Sequence, residues 1–218
     1  MKPFLITEAG SGSNQDRGIV VREGVRLVLC VADGAGGVSG GAEAAQMVVS
    51  VVSQRASLLN DANACGSMLR QLDILLANDS AAGETTGVLA SIENDKIFGA
   101  SVGDSGAWLI QAGDSHTDLT ASQQRKPLLG SGRALPTRFE APLKGAALLL
   151  ATDGLLKYAP AARIATISQI HPPEDAAKKL IELVRYRSGA LPDDTTVILT
   201  RLGRDFLETG SGATASDQ

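Results

Sequence analysis

The chain has 218 residues, of which 44% are hydrophobic and 20% charged, with 24 acidic residues against 20 basic ones and a net charge of −4. Length and balance fit one globular domain with a sizeable core and exclude a disordered chain, while the acidic charge argues against nucleic acid, which needs a basic face. With two His (His116, His171) outside any paired-ligand spacing and two Cys (Cys30, Cys65) outside any CxxC motif, zinc and disulfide chemistry lack their residues, so a metal site must be built from oxygen.

Along the chain, residues 18–22 and 25–31 are short apolar runs separated by Glu23-Gly24, which predicts a hairpin. Cys30 lies in the second run and reads as a small buried hydrophobe. From 41 to 59 the polar positions Glu43, Gln46, Ser50 and Ser53 recur at spacings of three and four, which predicts a helix with a broad apolar face. A second helix is predicted over 67–77 through Leu69, Leu72, Leu75 and Leu76. Strands are expected at 86–92, 97–102 and 107–110 as an antiparallel meander, with turns at Asn94-Asp95 and Gly103-Asp104. Runs at 146–151 and 195–202 supply late strands, and between them Pro173-Glu174-Asp175 opens a helix that Gly189 follows.

Strands and helices come in blocks rather than alternating one by one, which predicts an α+β domain with two stacked, mainly antiparallel sheets flanked by helix pairs. That domain is expected to span 1–203, with the small polar stretch 204–218 as a flexible tail. No apolar stretch reaches the ~18 residues of a membrane span, and no basic segment followed by an apolar one opens the chain, so a cytoplasmic protein is expected.

Two apolar runs, 28–32 and 148–152, stop at Asp-Gly, in Asp33-Gly34 and Asp153-Gly154. Asp16, Asp104 and the pair Asp193-Asp194 also adjoin strand ends, whereas Asp61, Asp79, Asp95 and Asp114 read as ordinary turn acids. Carboxylates brought together at a sheet rim repel one another unless a cation joins them, and oxygen ligands of this kind suit Mg²⁺ or Mn²⁺. Residues 34–41 invite a phosphate-loop reading, but Ser39 stands at the third glycine position and no βαβ unit follows. The glycines therefore read as close packing around the turn.

The ordered motifs Asn14-Gln15-Asp16, Asp33-Gly34-Ala35-Gly36-Gly37, Glu84-Thr85-Thr86, Gly103-Asp104-Ser105, Thr152-Asp153-Gly154 and Asp193-Asp194-Thr195-Thr196 resemble the metal-dependent protein phosphatases of the 2C type over residues 14–202. The resemblance implies hydrolysis of phosphoserine and phosphothreonine in proteins by a metal-activated water. It implies two Mn²⁺ or Mg²⁺ ions, with Asp33 bridging them, Gly34 lending its carbonyl, and Asp16, Asp153 and Asp193 completing the catalytic set. A third, weaker metal would sit on Asp104 with Asp153, and Asp194, where the family usually has Asn, would be the lesser ligand of its pair. A phosphoprotein substrate, a cognate Ser/Thr kinase in the same signalling circuit and a monomeric state are the partners and form implied.

Three departures stand out. Ser11 occupies the position of the family's phosphate-binding Arg, Gln15 replaces the customary Glu, and Gly106 stands where Arg is common. Arg17 and Arg133 are the candidates to compensate. The interval 119–144, which holds a mobile flap in the family, is short here and implies an open site. The same departures support an alternative, a catalytically weak relative that binds a phosphoprotein or regulatory partner.

Overall fold

Period-two burial dictates the layering. The computed structural model describes residues 2–35 and 39–201. The edge strand β1 (Phe4–Glu8) is followed by the hairpin of β2 (Asp16–Glu23) and β3 (Arg26–Asp33), then the helices α1 (Gly41–Gln54) and α2 (Ala62–Ala77). Five strands follow, β4 (Gly87–Glu93), β5 (Lys96–Val102), β6 (Gly106–Ile110), β7 (His116–Asp118) and β8 (Thr137–Pro142). The chain then runs through β9 (Ala147–Ala151), α3 (Asp153–Leu156), α4 (Ala161–Ile167), α5 (Pro173–Val184) and β10 (Thr195–Arg201). One sheet has the order β1-β10-β9-β6-β7 and the other β2-β3-β4-β5-β8, every pairing antiparallel.

Alternate residues of β3 point opposite ways. Val28, Cys30 and Ala32 pack with Ala44, Val48 and Val52 of α1 and Leu69 and Leu72 of α2. Leu27, Leu29 and Val31 face the other sheet and meet Leu109, Leu148, Leu150 and Ile198. On the far side Leu149, Ala151, Val197 and Leu199 pack under Ala177, Leu180 and Ile181 of α5. The result is a helix–sheet–sheet–helix sandwich, in which each fully buried leucine contributes ~2 kcal/mol through removal from water.

Several sequence expectations need correction. The meander breaks at Gly103, because β5 and β6 lie in different sheets and the chain crosses between them through Gly103–Ser105. The helix read over 41–59 ends at Gln54 and passes into a 3₁₀ turn at Ala56–Leu58. Helix α2 starts five residues before the predicted 67, because Asp61 caps it by accepting the Ala64 N–H at 2.7 Å; Asp61 is thus more than a turn acid. Strands β1, β7 and β8 and helices α3 and α4 were not expected. The hairpin acid Asp95 does fit its turn, since Asn94 and Asp95 both take positive φ (48° and 63°), the backbone of a type I′ loop. Both cysteines are free and buried, as read for Cys30. Among the described residues, no helix is long and apolar enough to cross a membrane. The predicted tail, and Gly36, Gly37 and Val38 of the glycine run, lie outside the described residues.

Candidate metal centre

The site grows from the register of one hairpin. Pairing of β2 with β3 sets Asp16 directly opposite Asp33. The backbone of Asp33 is held on both sides by the Glu84-Thr85-Thr86 motif. Its N–H donates to Thr86 Oγ1 at 3.0 Å, and its carbonyl accepts the Thr85 hydroxyl and the Thr86 N–H, both at 2.8 Å. Thr86 Oγ1 in turn lies 2.7 Å from Ser105 Oγ, which ties this strand end to the crossover carrying Asp104. The threonines of that motif therefore act as the cradle of Asp33.

Both Asp-Gly endings are glycine for reasons of space. A Cβ on Gly34 would lie 2.4 Å from the Gly41 backbone, and one on Gly154 would lie 2.1 Å from the Asp194 carbonyl oxygen. The second contact packs the strand end of Asp153 directly onto the Asp193-Asp194 turn.

These elements surround a cavity of about 420 Å³ lined by Asp33, Gly34, Asp104, Asp153, Asp193 and Asp194, with Ser11, Ser13 and Gln15 at its rim. The chain thus brings together Asp33, Asp104, Asp153 and Asp193 from four separate segments. Asp16 is the exception: it is buried opposite Asp33 in the β2–β3 register and is not among the residues that line the cavity. Asp194 lines the cavity but commits both carboxylate oxygens to backbone, accepting from Gly10 N–H at 2.8 Å and Gln15 N–H at 2.7 Å. It fastens the rim loop to the sheet.

Electrostatics follow from this crowding. Burial, reinforced by Asp16, Asp153, Asp104 and Asp193, pushes the Asp33 carboxyl up to about 9. Burial likewise pushes Asp16 up to about 7, against the pull of its hydrogen bond from Thr152. Asp153 is raised by burial and by Asp104 and Asp193, with Lys157 at 3.8 Å opposing. Asp104 is paired with the exposed Arg125 at 2.6 Å.

The donor set fits a hydrated divalent cation. Asp16 Oδ1 is buried without a hydrogen-bond partner, and five of the twelve residues lining the cavity are aspartates, whose ionised forms a cation would stabilise. Among the described residues, no three His, Cys, Asp or Glu side chains are disposed to grip one ion by themselves.

Neither compensating arginine reaches the cavity. Arg17 donates to Gln46 Oε1 and to the carbonyls of Asn14 and Asp16, and Arg133 is exposed and absent from the lining. Arg125, unremarked in the sequence, is the arginine that meets a lining carboxylate. The segment expected as a flap is fastened down: Asp73 of α2 accepts the N–H groups of Gly130 and Gly132 on Oδ1 and of Ala134 on Oδ2, at 2.9, 3.0 and 2.9 Å. Leu129 pairs with Thr85 in both directions at 3.0 Å, and Gln123 donates to the Ser105 carbonyl at 2.7 Å. The sequence held a signal for Asp73, since Leu69, Leu72, Asp73 and Leu76 share one buried helix face, where an acid needs partners.

Comparison with known proteins agrees with this fold. The model of the Stage II sporulation protein E (SpoIIE) family matches residues 23–203, and the chain belongs to that family. Among solved structures it is similar to a bacterial serine phosphatase (TM-score 0.82, 21% identity, covering 93% of this chain and 98% of that one). It is also similar to the serine/threonine phosphatase Stp1 from Staphylococcus aureus (0.77, 21%, 93% and 95%) and to PstP/Ppp from Mycobacterium tuberculosis (0.74, 21%, 93% and 99%). No curated protein sequence matches. The sandwich read from the motif order is the fold these phosphatases share.

Proposed function

We propose that the chain is a protein serine/threonine phosphatase that hydrolyses phosphate monoesters on proteins with the help of Mn²⁺ or Mg²⁺. The observation that carries this reading is the meeting of Asp33, Asp104, Asp153 and Asp193, from four segments, around one cavity. Asp33, the Gly34 carbonyl, Asp153 and Asp193 are the groups that would hold the two ions, with Asp16, paired opposite Asp33, completing the set and Asp104 serving a third. Two such cations, when bound, lower the pKa of a shared water towards neutrality and offset charge on the phosphoryl oxygens. The chain's own part is to fix its carboxylates. The Thr85–Thr86 cradle holds Asp33, the Thr152 hydroxyl orients Asp16, and Asp194 anchors the rim on which the phosphate would rest. Cys30 and Cys65 are buried, with thiols pushed up to about 12 by burial, so neither is a nucleophile.

The test is hydrolysis of an aryl phosphate and of a phosphothreonine peptide with Mn²⁺, with chelator, and by the Asp33→Ala variant. Turnover that chelator and substitution abolish supports the proposal; metal-independent turnover, or none, overturns it. A second reading, a phosphatase-like module that binds a phosphoprotein or regulatory partner without efficient turnover, is favoured by the lining itself, where Ser11 and Gln15 stand and, among the described residues, no arginine does. Calorimetric Mn²⁺ binding without turnover would select it.

A further inference from the structure

We propose that a second cavity, between α2 and the start of β8, binds a phosphate group carried on a protein segment. It encloses about 240 Å³ and is lined by Asn63, Gly66, Ser67, Arg70, Pro136 and Arg138. Asn63, Ser67 and Arg70 follow at spacings of four and three, which puts them on one face of α2. Gly66 leaves the floor open for the other wall: a Cβ there would lie 3.0 Å from Arg138 Cγ and 3.1 Å from its Cδ, so the arginine stem runs across the helix. The Arg138 guanidinium donates to Asn63 Oδ1, which leaves the Asn63 amide N–H groups, the Ser67 hydroxyl and both guanidinium groups as donors.

Among the described residues no carboxylate lines this cavity and neither Arg70 nor Arg138 has an acidic partner, whereas Arg26, Arg125 and Arg185 are all ion-paired. The nearby Asp61 is engaged in capping α2 and is not part of the wall. Two guanidinium groups without acidic partners, with an amide and a hydroxyl, in a chain of net charge −4, form a donor set matched to a tetrahedral dianion. A protein segment is the favoured carrier because apolar surface adjoins the cations. Ile74, one turn beyond Arg70, is 54% exposed and Leu135, beside Pro136, is 53% exposed.

The cavity also stands at the far end of the loop that borders the acidic centre. Asp73, three residues past Arg70, clamps Gly130, Gly132 and Ala134, and Leu128 of the same loop lines the acidic cavity. The two cavities are thus linked through one clamped loop. The choice of carrier rests on the phosphatase reading; the anion site itself does not.

The experiment uses the full chain in chelator, where the uncompensated carboxylates of the acidic cavity repel phosphate. A phosphoserine peptide, its unphosphorylated form and inorganic phosphate are titrated separately while the backbone and arginine Nε resonances are followed by NMR. The phosphopeptide should shift the signals of Ser67, Arg70 and Arg138 saturably, and the unphosphorylated peptide should not. Arg70→Gln and Arg138→Gln should each weaken binding about tenfold, the ratio for one lost charge-assisted hydrogen bond, with unchanged melting curves. Equal affinity for inorganic phosphate would overturn the protein-segment part. Absence of shifts at Arg70 and Arg138, or shifts that survive both substitutions, would overturn the site. Because binding is read without metal or turnover, failure of catalysis leaves this result interpretable.

Discussion

Thr152 donates its hydroxyl proton to Asp16 Oδ2 at 2.8 Å, joining the residue that follows β9 of one sheet to β2 of the other across 136 residues of sequence. Thr152 Oγ1 in turn accepts the Thr196 N–H at 2.9 Å. Replacing the hydroxyl with a methyl in Thr152→Val would leave a buried carboxylate oxygen and a buried N–H unpaired, at a cost of roughly 2–4 kcal/mol. Thr152→Ser keeps the group and should stay within ~1 kcal/mol of the parent. Urea denaturation of the two variants checks this, and equal stabilities would show that the hydroxyl is not what holds the sheets at this point.

The raised carboxyls make stability depend on pH. In the metal-free protein, Asp33 and Asp16, at about 9 and about 7, keep protons that the unfolded chain has released above its ordinary carboxylate range near 3.8. The native state thus binds more protons than the unfolded state through that window, and stability must fall as pH rises from about 5 towards 9. The limit is about 1.4 kcal/mol per pH unit for each such proton. Melting temperatures in chelator should drop over that range, Asp33→Asn should flatten the slope, and Mn²⁺ should lift the alkaline end most. A flat profile in chelator would mean that the two carboxyls are not buried together.

The legible parts of the molecule are those where burial is complete. The runs ending at Asp33 and Asp153 are covered on both faces, so their composition alone announced strands, and their Asp-Gly endings marked the cavity. β1, β7 and β8 escaped notice because each lies at a sheet edge with only partial burial, which leaves no clean alternation. The crossover at Gly103 was hidden because β5 and β6 each look like the next rung of a meander. Depth was hidden too: the sequence put Asp16 at a strand end but gave no hint that it is buried opposite Asp33 and outside the cavity lining. The Asp194 contacts to Gly10 and Gln15 span more than 175 residues and leave no local trace.

Asp73 turns the expected flap into a fixed loop. Its carboxylate is 2% exposed and accepts three N–H groups, so Asp73→Ala would orphan all three and cost roughly 3 kcal/mol. Hydrogen exchange at Gly130, Gly132 and Ala134 should accelerate in the variant far more than in the strands. Uniform acceleration across the protein would show instead that the loop opens only with global unfolding.

The rim decides how tightly a phosphate is held. Ser11 lines the cavity in a loop whose backbone at Gly10 and Gln15 is anchored by Asp194, so a longer side chain there gains reach without disturbing the fold. Ser11→Arg brings a guanidinium fork to a cavity whose lining has none among the described residues. One charge-assisted hydrogen bond to the phosphate should lower KM for a phosphothreonine peptide about tenfold, with kcat changed much less if the bond is equally strong in ground and transition states. Arg125→Ala is the companion variant. Its ion pair with Asp104 is exposed, so stability should change by less than ~1 kcal/mol, and a rise in KM would assign Arg125 the phosphate contact that Ser11 lacks. An unchanged KM in Ser11→Arg, with turnover intact, would show that the substrate phosphate rests elsewhere on the rim.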